Sequence, residues 1–71
     1  MEYIADLSPR ELQIFILTGQ GLTNPEIAEF CFIDVTTVRT HVKRVHSKLY
    51  IDGRARLAVA ASRVINAYQD N

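Results

Sequence analysis

Two helix starts, at Thr23 and Asp34, follow each other so closely that only a tight turn fits between the helices they open. Thr23 is suited to N-cap the first. Pro25 falls early, where its missing N–H is harmless, and Glu26, third after the cap, reaches back to the Thr23 amide. Ile27 and Ala28 then face inward. The chain turns through Phe32 and Ile33 to Asp34, a second cap. The helix beyond it carries Val35, Val38, Val42, Val45 and Leu49 at spacings that fall on one face.

Around that apolar stripe the same helix bears Thr36, Thr37, Arg39, Thr40, His41, Lys43, Arg44 and Lys48, short hydroxyls near its start and cations further along. Such groups suit nucleic-acid grooves and phosphates. The whole chain is formally neutral, yet between Asp34 and Tyr50 four cations (Arg39, Lys43, Arg44, Lys48) stand against one acid, Asp34. Charge is segregated rather than absent.

At 71 residues, with 48% hydrophobic and 23% charged side chains, residues 1–71 make one small globular domain. No apolar run approaches the ~20 residues of a membrane span, and MEYIADL lacks the basic flank and apolar core of a secretory signal, so a cytoplasmic protein with no membrane partner is expected. The single Cys31 has no internal disulfide partner and no Cys or His neighbour at zinc-finger spacing. It is read as a core residue, and neither metal nor cofactor is expected.

Taken in order, the lead from Met1 to Asp6 has no clear pattern; Tyr3 and Ile4 lie over the core or mark where a longer parent chain was cut. Ser8, Pro9 and Glu11 form a capping box that opens a helix over about 9–18, with Leu7 placed to staple onto Leu12. Its apolar residues outnumber one stripe. Ile14, Phe15 and Thr18 lie together, whereas Leu12 and Ile16 occupy a second face that is left uncovered. Gly19 and Gly21 supply open or left-handed backbone for ending the helix. The central helices follow at about 24–31 and 35–49. Gly53 can take a positive φ and Asp52 can cap a last helix over about 54–68, whose stripe is Leu57, Ala61, Val64, Ile65 and Tyr68. Leu57 and Ala61 cover the core. Val64, Ile65 and Tyr68 reach beyond what three short helices can hide, which predicts a weak homodimer through the last helix. The fold class is all-α with four helices.

LSPRE, then GLTNPEIAEFCFIDVTTVRTHVKRVHSKL, then DGRARLAV together resemble the LuxR-type, or GerE-type, helix-turn-helix domain of bacterial transcription regulators, from Leu7 to about Ile65. The resemblance implies that the second and third helices form the helix-turn-helix, that the third enters the DNA major groove, and that the fourth forms a two-fold dimer. It implies base-reading positions at Arg39, Thr40 and Lys43, and phosphate contacts from Asn24, Thr36, Thr37 and Lys48. The charge pattern adds Arg44 to the phosphate set. The chain departs from the family pattern at Tyr50, where glycine is usual, and at Leu12, Ile16, Pro25 and Phe30, where polar or basic residues are usual.

The leading expectation is therefore sequence-specific binding of double-stranded DNA by a bacterial transcription regulator, whole or the C-terminal part of a longer one, working at the nucleoid. A charge run is ordinarily only a solvated face; its position on this helix favours DNA. A second reading is a helical protein-interaction module that binds or blocks another regulator, with Leu12, Ile16 and Phe30 as the contact for a protein partner or an N-terminal sensor domain. No enzyme is expected. Glu11 and Glu26 are accounted for as capping residues, and there is no glycine-rich phosphate loop or nucleophile with a base. His41 and His46 diverge around their helix and read as partly buried or phosphate-adjacent residues rather than metal ligands.

Overall fold

Both capping boxes form, and they fix where the first two α-helices begin. The computed structural model describes residues 2–69, with side-chain surroundings for residues 4–67. A 3-10 helix at Glu2–Asp6 is followed by α1 (Pro9–Gly19), α2 (Asn24–Cys31), α3 (Val35–Leu49) and α4 (Arg54–Gln69). The Ser8 amide donates to Glu11 Oε1 at 2.8 Å while Ser8 Oγ accepts from the Glu11 amide at 3.2 Å. The Thr23 and Glu26 pair repeats this at 2.8 and 3.3 Å. Asp34 holds the N-cap position of α3 with extended backbone, but its side chain makes no capping bond. The lead is not patternless: its 3-10 turn leaves the Asp6 carbonyl facing α3.

The first three α-helices end alike, each with a residue in the left-handed region and a hydrogen bond closing back over the last turn. Gly21 (φ 93) ends α1, with Leu22 N–H donating to the Leu17 carbonyl. Phe32 (φ 57) ends α2, with Ile33 N–H donating to Ala28. Tyr50 (φ 55) ends α3, with Ile51 N–H donating to His46. Tyr50 thus takes the left-handed conformation that glycine would adopt more easily. The ring of His46 braces that turn: Nδ1 lies 2.6 Å from the Ile51 carbonyl, and because a carbonyl only accepts, Nδ1 carries the proton.

α1 is the central layer, packing on α4 most extensively and on α3 next, while α2 packs on α3. Ile14, Phe15, Ile27, Val38, Val45, Leu57, Ala61 and Val64 are almost wholly buried, and Cys31 lies in the same core. Burying one such side chain stabilises by roughly 1.5–3 kcal/mol. Val64 is only 1% exposed, which corrects its assignment to a dimer surface. The cause is Gly19. It is still helical and has no positive φ; what it supplies is room, since a Cβ there would lie 2.4 Å from Ala61 Cβ and 2.9 Å from the Ala61 carbonyl carbon. Ser62 Oγ donates to the Gly19 carbonyl across the contact at 3.1 Å. α4 therefore lies against α1 closely enough to bury Val64. Ile65 remains half-buried, and the Tyr68 side chain lies outside the described residues.

The buried carboxylate of Glu11 also holds α3. Lys48 Nζ donates to Glu11 Oε1 at 2.7 Å and to the Asp6 carbonyl at 3.0 Å. The Lys48 hydrogen bond, then the Ser8 amide, lowers the Glu11 pKa below its ordinary value of 4.5, against the opposing effect of burial. The carboxyl binds its proton less readily in the folded chain than in the unfolded one. Its contribution is therefore complete above the ordinary carboxylate range and is lost as pH falls through the lowered value.

Two outcomes follow. Gly19→Ala lowers stability by about 1–3 kcal/mol despite the better helix propensity of alanine, because the clash is with a short side chain and with backbone. Denaturant melts of the two proteins read this directly, and a gain in stability would contradict the close approach. Lys48→Met costs about 1–2 kcal/mol at neutral pH, the half-open lysine being partly screened, and the gap to the parent narrows as pH falls below 4.5. A gap independent of pH would remove the ion pair as its cause.

Candidate nucleic-acid interface

α3 turns about 100° per residue, so its buried stripe determines what faces outward. Val38, Val42, Val45 and Leu49 are buried; Thr36, Thr40, Lys43, Arg44 and Ser47 are exposed on the arc opposite, with Arg39 and Thr37 exposed at its two edges. Ser47 belongs to this face and was missed in the sequence, where nothing but its register marks it. Among the described residues the one ion pair is that of Lys48 with Glu11. Arg39, Lys43 and Arg44 thus present their charge outward with no internal carboxylate bound to it.

The other expected site residues divide. Thr40 Oγ1 donates to the Thr36 carbonyl at 3.2 Å, so its hydroxyl proton is committed to its own helix while its methyl group and oxygen lone pairs remain outward. Lys48 is turned away to Glu11 and Asp6, and its reading as a phosphate ligand is corrected to a structural tie between α1 and α3. His41 is half-buried, with Nδ1 buried and unpartnered.

Asn24 opens α2, but its side chain is not free. Arg54 Nη1 donates to Asn24 Oδ1, and Arg54 Nη2 donates to the Leu22 carbonyl at 2.9 Å. With the oxygen engaged, the Asn24 amide group is left as the donor end. The bond also explains a cation in the first turn of α4, where the helix dipole disfavours positive charge. Arg54 stands too far along the chain from Asn24 for any local pattern to have revealed the pair.

The apolar residues expected to form a second surface do not come together. Leu12 and Ile16 are half-buried and, with Pro9, Gln13 and Leu17, line a shallow hollow on α1. Phe30, on α2, is 59% exposed and does not line it. On α4 the free face instead carries Ala55, Arg56, Val59 and Arg63, which with Tyr50 border an open groove of about 500 Å³. None of the helices among the described residues is long and apolar enough to cross a membrane.

Comparison with known proteins identifies the family. The family of bacterial regulatory proteins called the luxR family, or GerE, matches residues 5–61. The chain is 46% identical over 57 residues to the transcriptional regulatory protein LiaR of Bacillus subtilis, covering 80% of this chain and 27% of LiaR. It is 38% identical over 65 residues to the response regulator protein VraR of Staphylococcus aureus, covering 92% of this chain and 28% of VraR. It thus spans little more than a quarter of the length of these relatives. With the family pattern running from the 3-10 turn into α4, and with an all-α architecture to match, the chain belongs to the LuxR family of bacterial regulatory proteins.

Proposed function

We propose that the chain binds double-stranded DNA in sequence-specific fashion as part of a bacterial transcription regulator, with α3 in the major groove. The observation that carries this reading is the set of exposed cations Arg39, Lys43 and Arg44 on α3, which make no ion pair among the described residues and stand away from its buried stripe among exposed hydroxyls. Arg39 and Lys43 read bases by hydrogen bonds. Thr40 reads through its methyl group, which matches the methyl of thymine, since its hydroxyl proton is already used. Thr36, Thr37 and Arg44 hold phosphates, as does the free amide end of Asn24 at the start of α2. LiaR and VraR are named as a transcriptional regulatory protein and a response regulator; by likeness to them, this domain serves the control of transcription at the nucleoid.

A two-fold pairing through α4 completes the reading, on a different face from the one its apolar stripe suggested. Val64 faces the core, whereas Val59 is 52% exposed between Ala55, Arg56 and Arg63. Pairing two copies about Val59 sets two α3 helices on half-sites about one DNA turn apart. The contact is small, so it is weak without DNA.

Arg39→Ala and Lys43→Ala each lose about 1–3 kcal/mol of specific binding with the fold intact, read by fluorescence anisotropy on an operator and by circular dichroism. Unchanged affinity in both variants would take α3 out of the groove. Arg44→Ala weakens cognate and scrambled duplexes alike and reduces the salt slope by about one unit, whereas Lys48→Met leaves that slope unaltered. A lower slope for Lys48→Met would restore that residue to the phosphate set. Val59→Asp abolishes cooperative binding to a full operator without unfolding, while Val64→Asp unfolds the chain; sedimentation and thermal melts of the two variants separate the faces.

A further inference from the structure

The end of α2 and the turn after it expose what α3 does not, namely aromatic rings beside carboxylates. Phe30 is 59% exposed and Phe32 95%. Phe32 also holds a left-handed backbone at φ 57, a conformation that disfavours a bulky side chain and that glycine adopts freely. Packing gives no reason for a ring there, since almost all of it is in water. A strained, uncovered aromatic is the kind of residue retained for contact rather than for folding.

The surroundings say what kind of contact. Glu29, Phe32, Ile33 and Asp34, with Ala28 at the base, line an open cleft of about 480 Å³. Asp34 sits at the N-cap of α3 and yet makes no capping bond. Glu29 makes no ion pair among the described residues, and α2 contains neither lysine nor arginine. Two unengaged carboxylates therefore flank the ring. Phosphates would be repelled here, so the surface is unsuited to DNA, and a wholly apolar partner would leave the two charges desolvated without a counter-ion.

We propose that the ridge from Glu29 to Asp34, with Phe30 beside it, is a docking surface for a partner protein segment that carries lysine or arginine next to an aliphatic or aromatic side chain. The cations pair with Glu29 and Asp34, and the apolar group covers Phe32 and Ile33. Charge complementarity gives such a contact its orientation and the ring gives it area. None of the α3 cations lines this cleft.

The test is an amide NMR titration of the full chain with an acetylated, amidated hexapeptide of alternating lysine and leucine, against its glutamate and leucine counterpart and a short duplex. The lysine peptide is expected to shift amides from Glu29 to Asp34, and the glutamate peptide is not. Phe32→Gly relieves the left-handed backbone, so it keeps the melting temperature of the parent and its DNA affinity while weakening the lysine peptide by about fivefold or more. Glu29→Gln with Asp34→Asn weakens it by a similar factor and removes its salt dependence. Three results overturn the proposal: shifts centred elsewhere or spread over the chain, an unchanged peptide affinity in the stable Phe32→Gly protein, or a duplex that moves the Glu29 to Asp34 amides as strongly as those of α3. Loss of DNA binding by the α3 variants alone leaves this surface unaffected, so the two readings fail separately.

Discussion

The carboxylate of Glu11 is the point on which the arrangement of α1 and α3 depends. It accepts the Ser8 amide, closing the start of α1, and the Lys48 ammonium, fixing the end of α3. Lys48 in turn holds the Asp6 carbonyl of the leading 3-10 turn. One buried acid thus ties three elements, and it is ionised because each neighbour donates to it. The consequence for function is rotational. At about 100° per residue, a slip of α3 by one residue would turn its outward face by more than a quarter turn, and the Lys48 tie opposes such a slip at the end of α3 remote from α2.

The two ends of α3 are set by backbone as much as by side chains. Phe32 before it and Tyr50 after it both hold left-handed conformations, and both are 95% exposed. Neither ring contributes buried area, so each strained residue is held by its neighbours: Ile33 N–H on the Ala28 carbonyl, and Ile51 bonded to His46 through both its amide and its carbonyl. Ile33 and Ile51 are partly buried against the core, which anchors the residue after each turn. The length of α3 is thereby fixed from outside the helix. The two rings are left pointing into solvent on different surfaces, Tyr50 beside the α4 groove and Phe32 beside the cleft at the end of α2.

What was legible in the sequence is what is local. Capping boxes span four residues, and the valine stripe of α3 has one helical period, so helix starts and the outward face of α3 could be read directly. Contacts made across the fold could not. Lys48 looked like one more cation of α3 because its partner lies 37 residues away, and Asn24 looked free because Arg54 lies 30 residues on. Gly19 shows the difficulty in one residue. Read locally it stops a helix; in the fold it lets α4 approach α1, and that approach buries Val64, which periodicity alone had left without cover. Val64 is a core residue for that reason, and no count of apolar positions along α4 could have revealed it.

A formal net charge of zero would seem to weaken any case for DNA, but net charge is a poor guide when acids are consumed locally. Glu11 is neutralised by Lys48, and Glu26 is bound to the Thr23 amide at the start of α2. Glu29 and Asp34 lie on the ridge between α2 and α3. What remains on the exposed arc of α3 is positive, and at physiological salt a phosphate senses charge only within about 8 Å. The exposed arc of α3 is therefore cationic, while the ridge that carries Glu29 and Asp34 is anionic. Zero net charge thus coexists with a locally positive face, and it is the local charge that an approaching ion senses.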